Sequence, residues 1–156
     1  MVTLRDAVPA NGSRLRELAE VGTLYAGELP AEDETECGPG WVARDGTRRA
    51  EDGVGFVGAY SLLLRRGARG PEAELTIMLV AGRTQHWAVD RMLLVDARRQ
   101  AGRAGARQLS VLTRPPLHVF FRDQGANVVG VVGPWGDTTS PSLQVELTAH
   151  DLPTDR

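Results

Sequence analysis

The residues with chemistry in reach lie in the stretch ELTIMLVAGRTQHWAVDRMLLVDARRQAGRAGARQLSVL, Glu74 to Leu112. It reads as strand, tight loop, helix and strand. The loop Gln85-His86-Trp87-Ala88-Val89-Asp90 falls where such a unit turns helix N–H groups toward a phosphate. Gln85, His86 and Arg91 can donate hydrogen bonds to an anion, each charge-assisted one contributing about 1.5 to 3 kcal/mol. Asp90 opposes them: at ~5 Å and an effective dielectric near 20 it repels each phosphate charge by roughly 3 kcal/mol, before screening. The same carboxylate also suits a helix with no ligand, because an acid in the first turn complements the helix dipole. The loop lacks glycine, so a left-handed residue at Ala88 would cost about 1 kcal/mol.

Several elements must position that loop. Leading into it, AELTIMLVAG is apolar on both faces toward its end, as expected of a strand covered on both sides. After it, a helix from about Val89 to Ala104 places Val89, Leu93, Ala97 and Ala101 on one face and stops near Gly105. RQLSVLT follows as a strand, and the helical connection makes it a parallel neighbour of the first. Upstream, VTLRDA suits a strand, and SRLRELAEVGTLYAGEL a helix with Leu15, Leu18 and Ala19 on one face and Asn11 or Ser13 at its N-cap. PAEDETECGPG is a loop by composition. GWVARDG and DGVGFVGAYSLLLRRG read as a hairpin joined through a polar stretch from Thr47 to Asp52. Downstream, Pro115-Pro116 opens a short helix, and ANVVGVVG and SLQVELTA are strands separated by the turn PWGDTTSP.

With 156 residues the chain is the size of one domain, and residues 1–156 are expected to form a single one. A net charge of −2 argues against a nucleic-acid surface. All eighteen basic residues are arginine, which removes lysine Schiff-base chemistry. The single cysteine, Cys37, has no intrachain partner, and His86, His118 and His150 lack metal-ligand spacing, so no metal is expected. Neither a signal-peptide pattern nor an apolar run of membrane-spanning length is present, which points to the cytoplasm and no membrane partner.

The unit from Glu74 to Leu112 resembles the GNAT superfamily of acetyl-CoA-dependent acetyltransferases. Met78-Leu79-Val80 stands as the strand end, Gln85 opens the Gln/Arg-x-x-Gly-x-Gly/Ala loop, and Leu93-Leu94 is the paired leucine of the helix. In that register Ala88 and Asp90 occupy the two small positions. Further on, FFRDQGANVVG is similar to the family's Phe-Tyr-x-x-x-Gly-Phe: Phe120 and Gly125 match, while Phe121 and Ala126 replace the usual Tyr and Phe.

The resemblance implies a GNAT-like α/β (α+β) fold. Its mixed, mostly antiparallel central sheet would have about 6 to 7 strands, helices on both faces and one parallel pair that splays apart. It implies that acetyl-CoA, or another acyl-CoA, is held by Met78, Leu79, Val80, Gln85, His86, Trp87, Ala88, Val89, Asp90 and Arg91, the first three offering backbone to the pantetheine arm. Glu74, with Glu72 beside it, would be the base that deprotonates the attacking amine. Phe121 cannot protonate the leaving thiolate as the usual Tyr does, and His118 is the substitute within reach. The acidic run Glu32-Asp33-Glu34 with Glu36 would border the acceptor and attract a cation.

Three readings follow. In the first, the protein moves an acetyl group from acetyl-CoA to a small-molecule amine. In the second, it is a GNAT-fold binding or interaction module with weakened or lost cofactor binding. The third is an enzyme using a different acyl-CoA. A homodimer would pair the apolar tail strand SLQVEL across a two-fold axis.

Overall fold

The computed structural model describes residues 2–8, 11–27, 46–68, 70–82, 88–132 and 142–149. In chain order they form β1 (Thr3–Asp6), α1 (Gly12–Val21), β2 (Gly22–Gly27), β3 (Thr47–Glu51), β4 (Phe56–Gly67) and β5 (Gly70–Ala81). There follow α2 (Val89–Arg103), β6 (Gln108–Thr113), α3 (His118–Asp123), β7 (Asn127–Val132) and β8 (Ser142–Thr148). The strands make one eight-stranded sheet in the order β1-β3-β4-β5-β6-β8-β7, with β2 joined to β5 off that path. Every pairing is antiparallel except β5 with β6.

Helices cover the two faces of β4 and β5, as their two-sided apolar pattern requires. Leu15 and Leu18 of α1 pack with Phe56, Ala59, Ile77, Leu79 and Ala81. The alternate residues Val57, Tyr60, Met78 and Val80 turn to the other face, where Val89, Leu93, Leu94, Ala97 and Ala101 of α2 meet them. Contact there is close because Gly58 has no side chain: a Cβ at that position would stand 2.7 Å from Leu93 Cδ1.

A buried polar group also pins α2. Asp96 accepts from Arg48 Nε at 2.6 Å, from Arg48 Nη2 at 3.2 Å and from the Tyr60 hydroxyl at 2.6 Å. Burial, and after it the charge of Asp96, pushes the Tyr60 hydroxyl far above the usual tyrosine range. The network joins β3, β4 and α2, which fixes the helix whose first turn opens the site.

Three expectations need correction. The long helix drawn over residues 13–29 ends at Val21, and its second half is β2, because Gly22 leaves the helix in an extended conformation. Asn11 is the N-cap residue, but its Oδ1 accepts from the Val8 N–H and caps nothing. The polar stretch from Thr47 is a strand rather than a connection: Thr47 and Ala50 are buried, and its two arginines are matched by Asp96, Asp6 and Glu51. The partners of Arg48, Asp6 and Asp96, are distant in sequence and leave no trace in a local pattern. Most of the strand expected over residues 40–46, the acidic loop with Cys37, and the turn PWGDTTSP lie outside the described residues. The tail strand β8 has β6 on one edge and β7 on the other, so it has no edge to offer a second copy.

Candidate functional site

The site is a fork in the sheet. β5 and β6 pair only at Ala73↔Leu109, Glu74↔Ser110 and Leu75↔Val111. Beyond Leu75, β6 continues with β8 alone while β5 runs on to Ala81. A bulge starts the divergence: the register against β4 steps from Leu62↔Leu75 to Ser61↔Ile77, leaving Thr76 without an opposite residue. The helical connection predicts the parallel pair, and the GNAT resemblance implies its splay.

The gap between the two strands is filled by the chain itself. β2 lies antiparallel on the far part of β5, with Gly22↔Ala81, Thr23↔Val80, Leu24↔Leu79, Ala26↔Met78 and Gly27↔Ile77. Met78, Leu79 and Val80, all buried, are therefore paired on both edges, with β4 on one side and β2 on the other. This is the edge that the resemblance assigned to a pantetheine arm.

Tyr25 is the bulged residue of β2 and ties the fork together. Its carbonyl accepts from Thr113 Oγ1 of β6 at 2.8 Å, and its hydroxyl donates to Asp90 Oδ2 at 3.1 Å. Its ring meets Phe120 of α3 edge-on, with centroids 5.1 Å apart. Burial, then the charge of Asp90 and its hydrogen bond, pushes the Tyr25 hydroxyl up to about 12.

At the start of α2, Ala88 takes the left-handed conformation, φ 56° and ψ 34°, that the glycine of the resembled motif would adopt without strain. Asp90 then accepts from the Arg91 N–H at 2.7 Å. The helix N-terminus thus already holds an anion, one oxygen on the helix and the other on Tyr25. Val89 is buried against Gly58 and can offer only backbone, whereas Arg91 is exposed. Gln85, His86 and Trp87 lie outside the described residues.

Glu74 stands at the crotch of the fork. Its neighbours Ala73 and Leu75 belong to the core beneath α2, so its side chain is on the opposite face. There Arg65 Nη2 donates to Glu74 Oε1 at 2.9 Å, and the Glu74 side chain is 36% exposed. Glu72 forms a longer pair with the same arginine, at 3.7 Å. Phe121 is wholly buried and is a core residue. His118 has its Nδ1 atom buried without a hydrogen-bond partner in the structure. No group of metal-ligating side chains occurs among the described residues.

The residues thus fit coenzyme A in part. A left-handed loop end and a helix N-terminus are in place, while the strand edge for the pantetheine arm is occupied by β2 and the anion position by Asp90. β2, Tyr25 and Thr113 escaped the sequence reading. The available signal was a pair of glycines, Gly22 and Gly27, bracketing Thr23-Leu24-Tyr25-Ala26, a strand-like segment inside an apparent helix.

No family model matches the chain, and no curated protein matches it. Solved structures do. An N-acetyltransferase from Staphylococcus aureus aligns with a TM-score of 0.77 at 10% identity, covering 96% of this chain and 98% of that one. An acetyltransferase of the GNAT family from Streptococcus pneumoniae gives 0.70 at 15% identity, over 96% and 100% of the two chains. An Arabidopsis thaliana protein solved with the bisubstrate analogue CoA-Ac-MVNAL gives 0.73 at 14%, over 94% and 97%. At these identities the likeness shows the fold.

Proposed function

From the premise that this chain has the GNAT fold, we propose that residues 1–156 form one domain that acts in the cytoplasm as an N-acetyltransferase. It would move an acetyl group from acetyl-CoA to a small-molecule amine. The observation that carries this reading is the forked parallel pair β5/β6 leading to a helix entered through a left-handed Ala88. A sheet gains nothing for stability from parting two of its central strands, whereas a ligand that displaced β2 would gain a strand edge beside a helix N-terminus. An enzyme using a larger acyl-CoA would share this site and differ in the room left for the acyl chain.

Glu74 is the base in this reading. An amine with a pKa of about 10 must lose a proton before it attacks, and the carboxylate of Glu74, 36% exposed at the crotch of the fork beside Arg65, supports that role. The experiment is thiol release from acetyl-CoA with a panel of small amines, for the natural chain and Glu74→Gln. The substitution should lower the rate most near neutrality and least where the free amine predominates. An unchanged pH–rate profile removes Glu74 from the chemistry. No release with any amine supports the second reading, a GNAT-fold binding module, which β2 in the fork and Asp90 on the helix favour.

A further inference from the structure

The β5 edge from Ile77 to Ala81 holds one extended partner, and here that partner is β2. We propose, resting on the acyl-CoA reading, that β2 is a displaceable plug that competes with the pantetheine arm for the fork between β5 and β6, so that the resting protein blocks its own cofactor site.

Three features of β2 make it a plug rather than a core strand. Gly27 has φ +74°, and a Cβ on it would lie 1.8 Å from the Thr76 carbonyl oxygen, so the strand sits flush on β5 only because that residue is glycine. The strand is shallowly seated: Ala26 is its one fully buried residue, with Leu24 and Tyr25 partly buried against the core, whereas β6 on the other arm of the fork buries Leu109, Val111 and Thr113. Displacing β2 therefore exposes less apolar surface than displacing β6 would. Beyond the β5 ladder it is tied at Tyr25, whose hydroxyl donates to Asp90 on α2 and whose backbone carbonyl accepts from Thr113 on β6, the other arm of the fork.

The pantetheine arm is an extended chain carrying two amides, the type of ligand that adds to a free strand edge. Its apparent affinity is the intrinsic affinity reduced by the fraction of molecules in which β2 is out.

The test is acetyl-CoA titration by calorimetry, with amide hydrogen exchange of residues 22–27, on the natural chain, Gly27→Ala and Tyr25→Phe. Bound acetyl-CoA should speed exchange in residues 22–27 of the natural chain. Gly27→Ala should bind roughly ten-fold tighter or better, and Tyr25→Phe several-fold tighter. Equal affinities in all three, or acetyl-CoA bound while residues 22–27 keep their protection, overturns the plug and leaves the enzyme reading standing. Absence of binding in all three, each folded by circular dichroism, overturns both. Should Gly27→Ala fail to fold, Tyr25→Phe and the exchange of the natural chain decide the matter.

Discussion

Asp90→Asn separates charge from shape at the start of α2. The asparagine keeps an oxygen for the Arg91 N–H or the Tyr25 hydroxyl, both of which the carboxylate now accepts, and it loses the negative charge. At ~5 Å from a phosphate and an effective dielectric near 20, that charge costs a bound pyrophosphate roughly 3 kcal/mol per phosphate charge. Partial exposure and salt reduce the figure by half or more, which leaves about 1.4 kcal/mol, or ten-fold in affinity. Loss of the acid from the first turn costs the helix about 0.3 to 1 kcal/mol, too little to unfold the domain. Acetyl-CoA titrations of both proteins at low and high salt should show Asp90→Asn binding about ten-fold tighter at low salt, with the gain shrinking as salt rises. Acetyl-pantetheine, which has no phosphate, should show no gain. Asp90→Gly adds release of Tyr25 to removal of the charge, so any gain beyond that of the asparagine variant reads the hold on β2. Equal affinity of Asp90→Asn and the natural chain at low salt, or a gain that salt does not touch, refutes the repulsion argument.

The remaining predictions concern the framework that holds the site. Asp96→Ala leaves the largely buried Arg48 guanidinium and the Tyr60 hydroxyl without their main acceptor, and should cost about 3 to 5 kcal/mol in urea unfolding followed by circular dichroism. Tyr60→Phe keeps the ion pair and should cost only about 1 kcal/mol; equal losses in the two variants would show that the ion pair contributes nothing. The Tyr25 hydroxyl titrates at about 12 in the folded chain against 10 ordinarily, and that of Tyr60 higher still. Because these folded values lie above the unfolded one, each contribution to stability is fully present below pH 10 and is lost as pH climbs through the folded value, about 12 for Tyr25 and beyond it for Tyr60. Tyrosinate absorbance of the folded protein should therefore stay flat through pH 10, while in urea it rises there; a rise at pH 10 in both refutes the assignment.

The sequence by itself determined the frame of the site. Val89, Leu93, Ala97 and Ala101 recur at helical spacing, and all four are buried on the sheet. The two-sided apolar run in β5 forced a strand covered from both faces, and a helix between β5 and β6 made them parallel. The loop register of the GNAT resemblance put a small position at Ala88, and α2 is entered there through a left-handed residue. These features are local, or follow from the handedness of a short connection, so a one-dimensional pattern carries them.

Tertiary structure decided what lies in the fork. Thr23 to Ala26 are strand-like but follow a helical pattern without a break in polarity, and they form a strand where the diverging edge of β5, far along the chain, has backbone groups to satisfy. β3 was hidden for a related reason: Thr47-Arg48-Arg49-Ala50-Glu51 reads as a polar linker until Asp6 and Asp96 come from distant elements to neutralise Arg48, while Arg49 and Glu51 pair with each other within the strand. Periodicity records which face of an element is buried. It does not record which strand edge is free, and in this protein the edge facing the fork is taken by β2.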